Sequence, residues 1–287
     1  MNDKSLGRWA ARLASAAAAL ALVAGFTTAP ASAAEDPSQP PAPVYIALGD
    51  SYAAGTGGGA YVAPPAGLPA ECLQTAEAYP VIRNATLNLA CAGATTIDVA
   101  AVADRYAAAL KSAQVITVTV GGNDVDAVQT TVACTVSASS PACRSALYNS
   151  LAVKLRELPG RIAAMLDTVK KKAPHARIVL TGYPRLFTVS PAFTAEQTQG
   201  ATMMNTAADL LNATIGYSAL VNGVKYVGVA ERFSGHGIGS ADPWLVPPAG
   251  LCNPSVNCSP SPFDAFHPTA TGYSSGYAAA LAAARIP

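Results

Sequence analysis

The chain has 287 residues, a formal net charge of +1 and 51% apolar side chains. So even a charge balance leaves no basic footprint for a nucleic acid. The length suits one large domain or two small ones.

In chain order, Lys4, Arg8 and Arg12 precede an apolar run over residues 13–26, and "APASAA" follows. This is the pattern of a secretory signal peptide over residues 1–33, cleaved after Ala33. The apolar run is 14 residues, shorter than the ~20 a membrane helix needs. Residues 34–43 read as a Pro-rich lead-in, and residues 44–287 as one domain without linker or repeat. The protein is thus expected outside the cell, with monomer as the default state. All six Cys lie beyond the signal: Cys72, Cys91, Cys134, Cys143, Cys252 and Cys258. An even count in an exported chain indicates disulfides. Six Cys allow fifteen connectivities. Clustering in three pairs favours sequential pairing: Cys72–Cys91, Cys134–Cys143 and Cys252–Cys258.

Short, largely apolar runs at residues 44–48, 86–90, 115–120, 177–181 and 224–229 read as buried strands. Helical patterns alternate with them at 96–110, 145–172, 194–220 and 269–284. In the second, Leu147, Leu151, Leu155, Leu158, Ile162, Met165, Leu166 and Val169 recur at steps of three and four, one helix face. Pro141 suits its first turn, Pro174 its end, and Pro159-Gly160 is expected to kink or split it. Lys170-Lys171-Lys172 falls at its C-terminus, where the macrodipole favours cations. Apolar strands alternating with helices predict a parallel sheet covered on both faces. The fold class is therefore α/β, doubly wound and flavodoxin-like, with about five strands. In such sheets the site lies beyond the carboxyl ends of the strands.

Four blocks fall on that edge. Gly49-Asp50-Ser51 follows the first strand, and Cys91-Ala92-Gly93-Ala94-Thr95-Thr96 the second. Gly121-Gly122-Asn123-Asp124 follows the third, and Asp264-Ala265-Phe266-His267-Pro268 precedes the last helix. Together, in this order, they resemble the SGNH (GDSL) hydrolases, above all the secreted three-disulfide lipases and esterases of actinomycetes. The resemblance spans essentially the whole exported chain. It implies the SGNH fold, a nucleophile at Ser51, a base at His267, and an oxyanion hole from the backbone N–H of Ser51 and Gly93 with the Asn123 amide.

The residues support that chemistry independently. A serine hydroxyl needs an adjacent base. His267 is the one plausible base in the chain. Asp264, three residues before it, is expected to hold the ring's other N–H, with a backbone carbonyl as the alternative. A glycine at 93 suits close backbone approach. Wild-type activity is expected to fall as His267 protonates, near or somewhat above the usual ~6.5. No G-x-S-x-G occurs, which excludes the nucleophile-elbow fold. Absence of a C-x-x-C, with only three His, argues against a metal centre, and no cofactor is called for.

Other conspicuous residues read as structural. His175 is a solvated loop residue, His236 packs in an irregular segment, Asp50 is a turn residue, and Asp124 opens a helix. Gly57-Gly58-Gly59 lacks the Lys of a phosphate loop and reads as a flexible rim. The expected function is hydrolysis of carboxylic esters of lipids, acylglycerols or phospholipids, with passing contact to a lipid surface. A carbohydrate O-acyl esterase is the alternative enzyme, and a non-catalytic binding protein on the same scaffold the alternative of another class.

Overall fold

The computed structural model describes residues 43–252, 259 and 261–287. The signal segment, the lead-in before Pro43 and Cys258 lie outside them. The elements run β1 (Tyr45–Gly49), α1 (Ser51–Ala54), β2 (Tyr61–Val62), β3 (Gln74–Thr75), α2 (Tyr79–Ile82), β4 (Leu87–Asn88), α3 (Thr96–Arg105), α4 (Ala107–Leu110), β5 (Val115–Thr119), α5 (Ala127–Val136), α6 (Pro141–Leu147), α7 (Leu155–Lys172), β6 (Arg177–Thr181), α8 (Ala195–Val221), β7 (Lys225–Val227) and α9 (Ala279–Ala283). Two π-helical stretches, Tyr148–Lys154 and Gly272–Ala278, lead into α7 and α9.

Five strands form one parallel sheet in the order β4-β1-β5-β6-β7, which is the doubly wound order expected. The chain moves from β1 outward to β4, then returns to β5 on the other side. The crevice of such a fold lies where this reversal occurs, so Ser51 after β1 and Asn123 after β5 flank it.

Alternation along the strands sorts side chains between two layers. Ile46, Leu48, Ile116, Val118, Ile178 and Leu180 pack with Val99, Leu158, Ile162 and Ile215 of α3, α7 and α8. Tyr45, Ala47 and Val179 face the other way, onto Tyr79, Tyr273, Tyr277 and Leu281. That second layer is polar at its centre. Tyr45 Oη pairs with Thr117 Oγ1 at 2.8 Å, Tyr79 Oη with Thr119 Oγ1 at 2.9 Å, and Thr119 Oγ1 with Thr181 Oγ1 at 2.6 Å. Each buried hydroxyl therefore has a partner, without which it would cost about 1–3 kcal/mol.

The helix over 145–172 departs from expectation. Pro159 does not split it: Leu155–Lys172 is continuous α-helix through the proline. The irregularity lies one turn upstream, in the π stretch that ends at Lys154. The cause is geometric. A proline ring clashes with the carbonyl four residues before it and offers it no N–H, so Pro159 places the defect at Leu155. Ser140 caps α6 through Cys143 N at 3.0 Å, with Pro141 in the first turn. The break over 96–110 falls at Tyr106, between α3 and α4.

Disulfides join Cys72 to Cys91 and Cys134 to Cys143. The first ties the loop before β3 to the loop after β4. The second closes the turn between α5 and α6.

Helix α8 fixes the chain after β6. Asn212 grips Tyr183 through both its backbone N–H and C=O, each at 2.8 Å. Asn205 does the same to Phe187, at 3.0 and 2.8 Å. The two asparagines are seven residues apart and so share a helix face. Asn212→Ala would leave both Tyr183 backbone groups unpaired. A loss of about 2 kcal/mol in unfolding free energy is expected, measurable as a lower urea midpoint at unchanged m-value.

Candidate active site

Asp50 follows β1 and caps α1: its carboxylate accepts from Tyr52 N at 3.0 Å. This leaves Ser51 as the first residue of a one-turn helix, 8% exposed. Ser51 Oγ and His267 Nε2 are hydrogen-bonded at 2.7 Å. Four contacts hold the His267 segment. Phe266 N donates to Val246 O at 2.7 Å, and Val246 N to His267 O at 2.8 Å. Tyr52 Oη donates to Phe266 O at 2.7 Å. Gly57 packs against the ring's stem: a Cβ built there would stand 2.9 Å from His267 Cβ, and its φ is +85°. The triple glycine is thus no loose rim at its first position. Phe266 itself has φ +68°, an uncommon backbone for a bulky residue and of the kind that marks functional sites.

The structure does not pair Asp264 with His267. One carboxylate oxygen accepts from the hydroxyl of Tyr61, on the β2–β3 hairpin, and the other from Ser259 Oγ. Among the described residues, His267 Nδ1 has no hydrogen-bond partner. Burial pulls the imidazole down to a pKa of about 4. The carbonyl of Ala265 is the largest influence favouring the charged ring, ahead of the Asp264 charge. The expectation of a value near or above ~6.5 therefore does not hold, because removal from water penalises the imidazolium more than its neighbours favour it.

Asn123 Nδ2 donates to Ala94 O at 3.0 Å, which fixes the amide and leaves its second N–H. Among the described residues, the backbone N–H groups of Ser51 and Gly93 have no acceptor. Gly93 has φ +81° and open space where a Cβ would stand. Its glycine is required by the left-handed backbone, not by close protein packing. The Gly93 loop is anchored from below. Gln74 Nε2 donates to Asn88 O and Ala90 O at 3.1 and 2.7 Å, and Ala92 N to Cys72 O at 3.0 Å.

Asp124 does not open α5, which begins at Ala127. It is 3% exposed and accepts from Thr96 N at 3.0 Å and Thr96 Oγ1 at 2.6 Å. It thus places an acid at the N-terminus of a different helix, α3, where the macrodipole favours it. His236 stacks on Trp244 at 3.7 Å, and His175 is exposed.

Sequence reasoning missed Tyr183. Its hydroxyl donates to Asp50 Oδ2 and accepts from Gly122 N at 3.0 Å. Only its position at the end of a strand could have marked it. It also missed the apolar cavity beside Ser51 and Asn123, lined by Val125 in the turn before α5 and by Leu151, Leu155, Met204 and Leu211 between α6 and α8. Among the described residues, no three His, Cys, Asp or Glu side chains converge as metal ligands would.

Burial also pushes the Asp50 carboxyl up to about 7, against the Tyr183 hydroxyl and Tyr52 amide that hold it down. Between pH ~4 and ~7 the folded state thus binds the Asp50 proton more tightly than the unfolded chain, so this term falls as pH rises. His267 acts oppositely. Between pH ~4 and ~6.5 the unfolded chain binds the proton more tightly, so its term grows with pH.

The model of the GDSL-like Lipase/Acylhydrolase family matches residues 47–274. Lipase 1 of Streptomyces coelicolor is 29% identical over 93% of this chain and 96% of its own. The Streptomyces rimosus lipase is 30% identical over the same shares, 93% and 96%. Among solved structures, phospholipase A1 from Streptomyces albidoflavus NA297 is 33% identical with a TM-score of 0.71, covering 85% of this chain and 99% of that one. The extracellular lipase of Streptomyces rimosus is 29% identical with a TM-score of 0.69, covering 85% and 100%.

Two outcomes follow from the His267 geometry. With its pKa near 4, kcat/KM should stay level through pH 6 and fall only as pH approaches that value. A pH–rate profile on a soluble ester, with folding checked at each pH, reads this out. Asp264→Asn should cost less than about threefold, against the ~10⁴ expected of a triad acid. Kinetics that show the larger loss would return the acid to the ring.

Proposed function

This chain belongs to the GDSL-like Lipase/Acylhydrolase family, and we propose that it is a secreted serine lipase that cleaves carboxylic esters of acylglycerols and phospholipids. The observation that carries this reading is the 2.7 Å Ser51–His267 hydrogen bond at the mouth of an apolar cavity that also borders Asn123. An acetyl group would leave the inner leucines and Met204 unfilled. A longer acyl chain covers them, at ~0.8 kcal/mol per buried CH₂.

In the reaction, Ser51 Oγ attacks the acyl carbonyl while its proton passes to His267 Nε2. The tetrahedral oxyanion accepts hydrogen bonds from the N–H of Ser51, the N–H of Gly93 and Asn123 Nδ2. His267 returns the proton to the departing alcohol, which leaves an acyl-Ser51 ester. A water then attacks that ester, with His267 taking its proton, and the carboxylic acid departs as Ser51 is restored. The carbonyl of Ala265 serves the imidazolium Nδ1–H; catalytic hydrogen bonds of this kind tighten only with substrate bound. Asp264 braces the loop from the hairpin side.

Export is supported by the signal-like residues 1–33 and by disulfides, which persist in oxidising surroundings. The Streptomyces rimosus relative is described as extracellular. One chain contributes every residue of the reaction, in keeping with a monomer.

Ser51→Ala should lower turnover by ~10⁴ or more, and Asn123→Ala by ~10²–10³ with KM little changed. A p-nitrophenyl ester series from acetate to palmitate, with phosphatidylcholine alongside, tests the substrate class. kcat/KM should rise with chain length. A maximum at acetate, with sugar acetates turned over, would replace the lipid reading with that of a carbohydrate esterase.

A further inference from the structure

We propose that Tyr183 is a positioning residue of the reaction, whose hydroxyl couples the nucleophile turn to the loop that carries Asn123. The inference rests on the oxyanion role given to Asn123 above. Beyond β5 the chain runs Gly121-Gly122-Asn123, and Gly122 is buried. A buried backbone N–H must find an acceptor. No carbonyl among the described residues supplies one. The Tyr183 oxygen does, at 3.0 Å. The same hydroxyl spends its hydrogen on Asp50 Oδ2, while Asp50 Oδ1 accepts from Tyr52 N at 3.0 Å. Two side chains, 1% and 6% exposed, thus form a continuous path from the backbone beside Ser51 to the backbone beside Asn123.

The path is rigid at both ends. The Tyr183 ring meets Tyr52 edge-on at 5.1 Å, and its backbone is gripped by Asn212 on both sides. A Cβ at Gly122 would touch the ring at 3.4 Å, so the loop and the ring are already in contact. Asn123 has a tie of its own, to Ala94 O. That tie joins it to the Gly93 loop, which Cys91 N holds to Gly49 O at 2.9 Å, while Asp50 N donates to Thr119 O at 2.9 Å where β1 and β5 pair. The sheet thus sets the coarse spacing of the two loops, and the Asp50–Tyr183–Gly122 path adds the side-chain tie between them beyond the paired strands. An oxyanion donor acts only when it lies at hydrogen-bond distance from the charge that develops, and small misplacements cost rate steeply.

The test is a double-mutant cycle of Tyr183→Phe and Asn123→Ala, measured on a soluble ester. Tyr183→Phe keeps the ring that walls the cavity and removes only the oxygen. Its kcat should fall about tenfold with KM within twofold, since a displaced donor loses part of the ~10²–10³ that full loss costs. In the Asn123→Ala background the same change should add less than twofold, because Tyr183 acts through that amide. A wild-type kcat for Tyr183→Phe, a loss carried by KM, or multiplying losses in the double variant would overturn the proposal. If Asn123→Ala alone is harmless, the oxyanion reading fails and this one with it. If Asn123→Ala is costly and the losses multiply, only the Tyr183 role fails. A fluorinated tyrosine at 183, which keeps the shape but weakens the oxygen as acceptor, guards against a folding defect. It should give an intermediate kcat, and a kcat equal to wild type would count against the role.

Discussion

The hydrogen bond between Ser51 and His267 spans 216 positions of sequence, and nothing local to either residue could enforce it. Its geometry depends on the sheet that fixes β1 and on the segment that returns His267 from the far end of the chain. That segment is held by pairing with Val246, by the Tyr52 hydroxyl and by the close fit of Gly57. The positive φ of Phe266 is the strain such a return carries, an amount of order 1–3 kcal/mol. It persists because the surrounding contacts over-determine it.

The same logic connects the other loops. Asn123 and Asp124 bind the third block to the second through Ala94 and Thr96. Asp50 and Tyr183 bind the first to the third, and Tyr52 binds the fourth to the first. Each loop is thus tied to at least one other by side chains from the sheet edge, so loops separated by long crossovers behave as one body. Below them the tyrosine–threonine layer continues the pattern. Tyr273 Oη donates to Thr56 O and Tyr277 Oη to Gly182 O, at 2.7 and 2.9 Å, so the last helical stretch reaches both the nucleophile turn and the start of the Tyr183 segment.

Much of this was legible in the sequence, for definite reasons. Strands buried on both faces must be largely apolar, so Ile178, Val179 and Leu180 marked β6. Helix signals were equally plain at Pro141 and over residues 194–220, where the structure adds a capping box between Thr194 and Gln197. The blocks around Ser51, Gly93 and Asn123 were visible because each follows a strand on one sheet edge, and the family resemblance placed His267 with them. What stayed hidden depends on contacts across the chain. Asp264 stands three residues from His267, yet its carboxylate turns to Tyr61, some two hundred positions away. Sequence proximity predicted the wrong partner because a short turn can point neighbouring side chains apart. Asp124 obeyed the macrodipole rule for a helix in another segment. Tyr183 carried no local signal, since a tyrosine after a strand is ordinary until its two partners are known.

The groups proposed to react stand on loops at one end of the cavity, and helices supply most of its apolar wall. Ser51, Gly93, Asn123 and His267 all stand on loops at the sheet edge. The cavity is walled by α5, the π stretch, α7 and α8, and the α5–α6 turn is closed by Cys134–Cys143. The π stretch exists where it does because Pro159 disrupts the helix one turn downstream, and it contributes Leu151 to the cavity wall. Under the proposed function, a change in that helical wall alters which acyl chain fits while leaving the Ser51–His267 hydrogen bond in place. Tyr183 stands in both settings: it lines the cavity together with Asp50, Gly122 and Asn123, and its hydroxyl bridges Asp50 and Gly122. In the proposed reaction, Tyr183 therefore joins a wall of the cavity that would take the acyl chain to the backbone that carries Asn123.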